Sequence, residues 1–227
     1  MRPDAAMIFC AGFGTRMGAL TADLPKPLLR VGGETLFDRM HGLARKAGIG
    51  RVVINAHYRA EAMEAHVAGM DIAVSREAPE ILETGGGLKA ALPLLGEGPV
   101  YTANPDVVWA GPNPFEIVAG AWAEDIDALL LCVPVARAIG RETGDFAETA
   151  DGSLRRQGPV IYGGMQIIRP GVVARMAEER FSLNLVWDAL MAEGRVRYSL
   201  YPGWWCDVGT PEGIGQAEQL IEDHAGA

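Results

Sequence analysis

The hydrophobic positions in the first half of the chain follow two periods in turn. Residues 5–11 form a continuous apolar run that ends at Gly12, which is typical of a parallel strand buried on both faces. Residues 36–47 carry apolar side chains at helical spacing, and Gly48 stands where a helix commonly ends. The pattern therefore predicts a strand, a turn and a helix at the start of the chain.

This alternation continues as far as residue 135. Short apolar or β-branched runs predict further strands at 51–55, 72–74, 100–103 and 128–135, and helical spacing predicts helices over 63–70, 88–95 and 115–122. Connections of this length are typical of parallel strands joined by crossover helices. We therefore expect an α/β fold in which a mostly parallel sheet is wound by helices on both sides.

The pattern becomes mixed after residue 135. A polar, glycine-bearing stretch over 138–158 precedes a predicted strand at 160–168, two helical stretches, a short strand at 197–201 and a closing helix that starts at Thr210-Pro211. No repeat, low-complexity tract or Pro/Ser-rich linker marks a boundary between the two parts. We predict that residues 1–227 form a single domain, with a wound half over 1–135 and a smaller mixed half over 136–227.

Composition and charge exclude several kinds of partner. Hydrophobic residues make up 49% of the 227 positions, as in ordinary globular proteins. The formal net charge of −9 disfavours binding to a nucleic-acid backbone. The longest uncharged stretch, residues 157–168, is shorter than the ~18 apolar residues that a membrane span needs. Neither nucleic acid nor a membrane is therefore an expected partner.

The three cysteines, at positions 10, 132 and 206, are an odd number and lie far apart in apolar surroundings. This spacing indicates neither a disulfide framework nor a zinc site, and it favours a reducing compartment. We therefore predict a cytoplasmic location.

A glycine-rich turn follows the first predicted strand at residues 10–17 (CAGFGTRM). Gly12 and Gly14 would allow backbone N–H groups to approach an anion, and Arg16 would add charge for phosphate oxygens. The run matches neither the dinucleotide fingerprint, which needs glycine at position 17, nor the Gly-Lys-Ser/Thr of phosphate-binding loops. Taken alone, it is more typical of an ordinary turn.

The next polar feature is Lys26, which stands between Pro25 and Pro27. The flanking prolines stiffen the backbone, and a stiff backbone would keep one ammonium group aimed at a phosphate. The plainer interpretation is a rigid turn with an exposed lysine.

Together and in this order, the two segments resemble the signature of the sugar-1-phosphate nucleotidyltransferases, A-G-x-G-T/S-R-M followed by P-K-P-L. Residues 83–87 (ETGGG) are similar to the glycine-rich base-contacting loop of that family. Residues 104–106 (NPD) and 205–210 (WCDVGT) are similar to its two metal-binding segments. The resemblance covers essentially the whole chain. It is greatest to the small bacterial N-acetylmuramate-1-phosphate uridylyltransferases. They resemble this chain in length, in the ETGGG segment, in a Gly-Asp-Phe like that at 144–146 and in the W-x-D-V-G-T segment near the end.

The resemblance implies a fold and a reaction. The fold would be dinucleotide-fold-like, with 1–135 mainly binding the nucleotide and 136–227 mainly binding the sugar. A nucleoside triphosphate, UTP in the most similar relatives, would react with a sugar-1-phosphate, there N-acetylmuramate-1-phosphate. The products would be an NDP-sugar and pyrophosphate, in cell-wall precursor synthesis or recycling.

The resemblance also implies roles for individual residues. Catalytic roles would fall to Arg16 and Lys26, as fixed positive charges, and to Asp106 and Asp207, as oxygen ligands of Mg²⁺. The nucleotide would be bound by Ala11, Gly12, Gly14, Thr15, Arg16, Lys26, Glu83, Thr84, Gly85, Gly86 and Asn104, and the sugar by Gly144, Asp145 and Gly164. Outside this motif set, both aspartates are equally consistent with turn caps, and the glycines with plain loops.

Two departures from the family pattern leave other functions open. Pro105 precedes the first metal-binding aspartate, where relatives have a small residue. Residues 154–159 (LRRQGP) lack the lysine that meets the sugar phosphate in many relatives, so either an arginine or another residue takes that role. The alternatives are a nucleotidyltransferase for another base or a phosphocholine-type substrate, or an NDP-sugar-binding regulator without turnover. The sequence does not determine the oligomeric state.

Overall fold

The strands and helices predicted from the hydrophobic pattern are present in the computed structural model, which describes residues 2–149 and 154–225. The strands are β1 (Ala5–Phe9), β2 (Arg30–Val31), β3 (Glu34–Thr35), β4 (Arg51–Ala56), β5 (Ile72–Arg76), β6 (Val100–Ala103), β7 (Val107–Ala110), β8 (Ala128–Pro134), β9 (Ala138–Ile139), β10 (Gly144–Glu148), β11 (Leu154–Gly158), β12 (Val160–Ile168), β13 (Val196–Leu200) and β14 (Trp204–Asp207). The helices are α1 (Leu36–Lys46), α2 (Ala60–Val67), α3 (Glu83–Leu95), α4 (Pro114–Gly120), α5 (Pro170–Ala174), α6 (Leu183–Ala192) and α7 (Pro211–Asp223). Of the polar stretch predicted over 138–158, residues 150–153 lie outside the described residues.

One large sheet contains strands from both halves of the chain, in the order β11-β10-β12-β6-β1-β4-β5, with β8 beside β12 and β13 beside β8. Strands β6, β1, β4 and β5 are parallel, which confirms the wound α/β arrangement predicted for the first half. Strand β12 runs antiparallel to both β6 and β8, so the second half extends the sheet with antiparallel strands.

The first strand is buried on both faces because it lies inside this sheet. Ala6 and Ile8 pack into one apolar core, whereas Ala5 and Met7 pack into the core on the opposite face. Alternating side chains of a strand point to opposite faces, and helices cover both faces here. This arrangement explains why the strand reads as an unbroken apolar run.

A separate three-stranded sheet, β7-β14-β9, lies beside the large one. Its apolar side chains form a third core with Met17, Leu29, Val31 and Leu220, so helix α7 closes over this sheet. Thr210 is the N-cap residue of α7 and Pro211 is its first helical residue, as the sequence predicts, although the Thr210 side chain makes no capping bond. Within the described ranges, no helix is both long enough and apolar enough to cross a bilayer.

Candidate active site

Two adjoining clefts open at the carboxyl ends of the parallel strands, the edge at which wound sheets commonly bind ligands. The first has a volume of about 300 Å³ and lies over the ends of β1, β4 and β6. The second, of about 320 Å³, extends towards β10, β11 and α6. The residues shared by the two linings are Phe9, Arg16, Thr84, Asn104 and Asp106. We call the first the nucleotide cleft and the second the sugar cleft, after the predicted residues that each one gathers.

The nucleotide cleft brings together most of the residues predicted to bind the nucleotide. Its lining includes Ala11, Gly12, Gly14, Thr15, Arg16, Lys26, Glu83, Thr84, Asn104 and Asp106. Residues from Phe9 to Gly209, 200 positions apart along the chain, therefore face one volume. Gly85 and Gly86 are the two predicted nucleotide-binding residues outside this lining.

The glycine-rich turn is held by a short 3₁₀ helix, Thr15–Thr21, that starts directly after Gly14. The backbone N–H of Met17 donates to the Gly14 carbonyl oxygen over 2.9 Å. Gly14 has φ 65°, in the left-handed region, and a Cβ there would lie 3.0 Å from the Cβ of Lys26. A glycine is needed at this position both for its conformation and to let the two signature segments touch.

Lys26 is buried, at 8% exposure, which contradicts the plainer interpretation of an exposed turn lysine. It starts a 3₁₀ turn, Lys26–Leu28, and its Nζ lies 2.5 Å from Oδ2 of Asp106. A buried ammonium needs a compensating charge, and Asp106 supplies it across the floor of the nucleotide cleft. The pair thus fixes a positive and a negative group at the point where the two clefts meet.

The small sheet brings Asp106 and Asp207 together. In the antiparallel pairing of β14 with β7, Asp207 lies opposite Val107, and the Val208 N–H donates to the Asp106 carbonyl oxygen over 3.0 Å. Burial raises the pKa of the Asp207 carboxyl and the negative charge of Asp106 raises it further, against the opposing effect of Lys26 and Arg16. The two carboxylates are therefore close enough to repel each other.

Gly209 lets a guanidinium approach this carboxylate pair. A Cβ at position 209 would lie 2.7 Å from Nη1 of Arg16 and 2.9 Å from Oδ2 of Asp207. Only a residue without a side chain leaves room for both groups at this backbone. The WCDVGT ending predicted as a metal-binding segment thus supplies one carboxylate and also the space for Arg16.

The donor set suits a hard divalent cation such as Mg²⁺. Two carboxylates that lie close enough to repel each other are a favourable site for positive charge, and Mg²⁺ prefers oxygen ligands. In the part of the chain that the structure describes, no group of three or more His, Cys, Asp or Glu side chains could hold a metal ion. Asp106 and Asp207 would therefore need oxygens from phosphates and water to complete the coordination.

Two of the three predicted sugar-binding residues line the sugar cleft. Asp145 accepts hydrogen bonds from Arg141 Nη2 and from the Tyr162 N–H, both over 2.9 Å. Gly164 has φ 85° at a bulge in β12, and its carbonyl accepts from the Asn104 N–H over 2.7 Å. Gly144 lies outside the lining, and a Cβ there would meet the Gly158 carbonyl oxygen on β11, so close strand pairing accounts for this glycine.

The predicted glycine-rich loop over 83–87 is the first turn of helix α3, so the expectation of a loop is wrong. The N–H groups of Gly85 and Gly86 both donate to the Phe181 carbonyl oxygen, over 2.8 and 3.0 Å. A Cβ at Gly85 would lie 2.3 Å from the Phe181 ring, and one at Gly86 would lie 2.2 Å from the Glu179 carbonyl oxygen. These glycines let α3 pack against the segment before α6, and their contact with a base stays a prediction.

A buried pair beneath the nucleotide cleft was not predicted. Asn55 accepts from the Cys10 N–H and donates to Glu77 Oε1, and Glu77 Oε2 accepts from the Leu82 N–H, each over 2.7 Å. The pair ties the end of β1 to the start of α3. The sequence did carry a signal for this pair, because Asn55 and Glu77 are polar residues near the carboxyl ends of two predicted strands.

Two arginines line the sugar cleft besides Arg16: Arg141, which was not predicted, and Arg156, one of the two arginines left open for the sugar phosphate. Both belong to the polar stretch over 138–158, whose pattern carries no periodic signal. Arg155, the neighbour of Arg156, is exposed and bonds to the Gln157 carbonyl oxygen instead. Strand register alone separates the two, because adjacent residues of β11 face opposite sides.

Comparisons with known proteins agree with this geometry. Residues 6–163 match the family described as the MobA-like NTP transferase domain. The chain is 39% identical to the N-acetylmuramate alpha-1-phosphate uridylyltransferase of Caulobacter vibrioides, over 97% of this chain and 98% of that protein. It is 33% identical to the enzyme of the same description from Neisseria meningitidis, over 95% and 97%.

Among solved structures, the inositol-1-phosphate CTP transferase from T. maritima superimposes with a TM-score of 0.80 over 100% of this chain and 98% of that one, at 16% identity. This likeness confirms the fold. The family match spans more than half of the chain, and the two relatives are similar along nearly their full lengths. The chain therefore belongs to the sugar-1-phosphate nucleotidyltransferase family and carries a MobA-like NTP transferase domain.

Proposed function

We propose that the protein is a cytoplasmic, Mg²⁺-dependent uridylyltransferase that converts UTP and N-acetylmuramate-1-phosphate into the UDP-sugar and pyrophosphate. The coarser activity, nucleotidyl transfer, follows from family membership. The choice of substrates is supported by the names of the two relatives matched at 39% and 33% identity. The three free, buried cysteines are consistent with a reducing compartment.

One observation supports the reaction most directly: the two clefts share a wall that carries Arg16 and Asp106. A reaction that joins two phosphates needs both substrates at one boundary, with positive charge around it. A nucleotide in the first cleft and a sugar phosphate in the second would meet at this wall. Such positioning supplies a large part of the rate enhancement in phosphate-transfer reactions.

In the proposed reaction, a phosphate oxygen of the sugar-1-phosphate attacks the α-phosphorus of UTP. A new oxygen–phosphorus bond forms, the bond from the α-phosphorus to the bridging oxygen breaks, and pyrophosphate leaves with the electron pair. The protein forms no covalent intermediate. Arg16 and Lys26 stabilise the negative charge that builds up on the phosphate oxygens.

The residues at the wall have distinct roles in this proposal. Asp106 and Asp207 would hold Mg²⁺, which when bound would neutralise charge on the phosphates. Arg141 lies in the sugar cleft with its guanidinium oriented by Asp145, and it provides a positive charge for the sugar phosphate in place of the missing lysine. Gly209 keeps Arg16 beside Asp207.

Pyrophosphate release tests this function. The purified protein is incubated with each of UTP, dTTP, CTP and GTP, against a panel of N-acetylmuramate-1-phosphate, N-acetylglucosamine-1-phosphate, glucose-1-phosphate and phosphocholine. We expect the highest kcat/KM with UTP and N-acetylmuramate-1-phosphate. Equal or better turnover with dTTP and glucose-1-phosphate would assign another substrate, and binding of NDP-sugar without turnover would identify a regulator.

A further inference from the structure

The sugar cleft holds one arginine that the transfer reaction does not need. Arg156 lies on β11, the edge strand of the large sheet, whereas Asp106 follows β6. Strand β12 pairs with β6 through residues 165–168, and with β10, the neighbour of β11, through Val160. Arg156 therefore lies beyond the part of β12 that pairs with β6, at the end of the sugar cleft formed by β10, β11 and α6.

Arg141 is a second cation of the sugar cleft close to the carboxylates of Asp106 and Asp207, because it follows β9, the strand that pairs with β14. It follows Gly140, at which a Cβ would lie 3.2 Å from the carbonyl oxygen of Asp207. The chain has only three lysines, at 26, 46 and 89, and among these Lys26 alone lines either cleft. The arginines of the sugar cleft thus divide into Arg16 and Arg141 at the reacting end and Arg156 at the far end.

Arg156 contacts helix α6 and Phe146 at that far end. Its Nε donates to Asp188 Oδ1 over 2.8 Å and its Nη2 donates to the Asn184 carbonyl oxygen over 3.3 Å, so two of its nitrogens bond to helix α6. Its guanidinium carbon lies 4.9 Å from the ring centroid of Phe146, the residue opposite it in the β10–β11 pairing. These contacts leave Nη1 unused by the helix and fix the plane of the group.

Around Arg156 the aromatic residues at the cleft are Tyr162, which is half-buried, and Trp187 and Phe146, which are buried behind it and behind the guanidinium. The Tyr162 and Trp187 rings lie 4.7 Å apart edge to face. Aromatic rings suit the apolar face of a sugar, and the Nη1 group that α6 leaves unused can donate a charge-assisted hydrogen bond to a carboxylate. A sugar whose 1-phosphate lies at Arg141 would present its far ring substituents to Arg156.

We propose that Arg156 determines the specificity of the sugar cleft by favouring a sugar-1-phosphate that carries a carboxylate on its ring. This inference rests on the proposed function and assigns the residue that binds the carboxylate, the second anionic group of the substrate. Arg156 acts in recognition of the substrate and not on the reacting atoms.

The test compares two substrates that differ only in the carboxyl-bearing ether, N-acetylmuramate-1-phosphate and N-acetylglucosamine-1-phosphate, each with UTP. For R156Q, the ratio of the two kcat/KM values should fall by about tenfold to a hundredfold, the range expected for losing a hydrogen bond to a charged group. R156K should give an intermediate ratio, because it keeps the charge and loses the planar fork.

Two control variants separate recognition from a structural role. R155Q changes the neighbouring arginine on the opposite face of β11 and should leave the ratio unchanged. D188N removes the acidic partner on α6, so if Arg156 merely anchored that helix, D188N and R156Q would have the same effect. We expect D188N to keep the preference, with folding checked by thermal melts.

The outcomes distinguish this inference from the proposed function. Equal losses for both substrates in R156Q, or no change in the ratio, would overturn the role of Arg156. If the wild-type protein releases no pyrophosphate with either substrate, the proposed function fails. Calorimetric binding of the two UDP-sugars then decides the Arg156 inference, since a preference for the carboxylate-bearing ligand must be present in the wild type and lost in R156Q.

Discussion

At the scale of single residues, the wall between the clefts is a set of charges that the backbone holds in fixed positions. Lys26 is buried between two prolines and paired with Asp106, while Arg16 is admitted beside Asp207 by the missing side chain of Gly209. Groups held in this way need little reorganisation when charge develops on a substrate. The contribution of each charge can therefore be measured by removing it alone.

We predict that R16A and K26A each lower kcat/KM by two or more orders of magnitude. Removing one electrostatic stabiliser of a transition state typically costs ~3–4 kcal/mol. Steady-state pyrophosphate release measures the loss, and K46A, which changes an exposed lysine in the last turn of α1, is the matched control. A loss below tenfold in both R16A and K26A would remove these residues from the mechanism.

The two aspartates should act as one unit in turnover. D106N and D207N alone should each nearly abolish activity, and the double variant should be hardly worse than the worse single one, since one carboxylate holds hydrated Mg²⁺ weakly. Excess Mg²⁺ or Mn²⁺ should partly rescue only the single variants. Losses that multiply, or wild-type activity that survives a chelator, would return both aspartates to the role of turn caps.

The same two substitutions should affect stability in opposite directions in metal-free buffer at neutral pH. The raised pKa of Asp207 means that the folded state binds its proton more tightly than the unfolded state, so ionised Asp207 destabilises the fold at neutral pH. D207N should therefore have a higher Tm than the wild type. The difference in Tm should shrink as the pH falls to the range in which the Asp207 carboxyl of the wild type is protonated. D106N leaves the buried Lys26 without its partner and should melt below the wild type. Melting curves at several pH values show whether the Tm of each variant lies above or below that of the wild type.

At the scale of elements, close backbone approaches position the site. The turn after β1 touches the Pro-Lys-Pro segment at Gly14, and the first turn of α3 packs on the segment before α6 through Gly85 and Gly86. The small sheet aligns β7 with β14, which places Asp106 near Asp207. Each contact depends on a glycine or on strand register, not on a long side chain.

We predict that G14A destabilises the protein by about 1–2 kcal/mol or more, because alanine at a left-handed φ costs that amount before any clash is counted. The added Cβ would also lie 3.0 Å from side-chain carbons of both Lys26 and Thr21. G12A is the matched control, since a Cβ there meets nothing within 4 Å. Urea unfolding measures both, and equal free energies of unfolding for the two variants would contradict the assigned role of Gly14.

At the scale of the whole molecule, binding at the cleft wall connects the two halves of the chain. The nucleotide cleft is lined by residues from the first half and by Gly209 from the second, and Arg16 and Asp106 lie on both clefts. A ligand that binds there stabilises only the fold in which both halves are in place. Its effect should therefore appear in the global unfolding transition.

UTP with Mg²⁺ at a hundred times its dissociation constant should add about 2.7 kcal/mol to the free energy of unfolding, which is roughly 5 to 10 °C in Tm for a chain of this size. The shift should be smaller with a chelator present. In D207N, Mg²⁺ should add less to the shift produced by UTP than it does in the wild type. Differential scanning fluorimetry measures these shifts in Tm. A shift that depends on neither Mg²⁺ nor Asp207 would contradict the proposed metal site.

Much of the fold could be predicted because local patterns encode it. Doubly buried strands such as β1 read as unbroken apolar runs, and helices such as α1 combine a 3.6-residue period with a glycine after their last turn. The order of strands could not be read from these patterns. Nothing local in the run over 160–168 distinguishes an antiparallel neighbour of β6 from a parallel one, since both bury the same side chains.

The sequence by itself determined which chemical groups the site contains: a glycine-rich turn, a lysine between prolines, and aspartates at the ends of two predicted segments. Tertiary structure alone decided that Asp106 and Asp207, 101 positions apart, meet where β7 pairs with β14. It also decided that Lys26 is buried against Asp106, and that Arg156 faces the sugar cleft while Arg155 does not. The physical reason is that residue type and period are local properties. Distance between remote residues, burial of charge and the face of an edge strand depend on the packing of the whole chain.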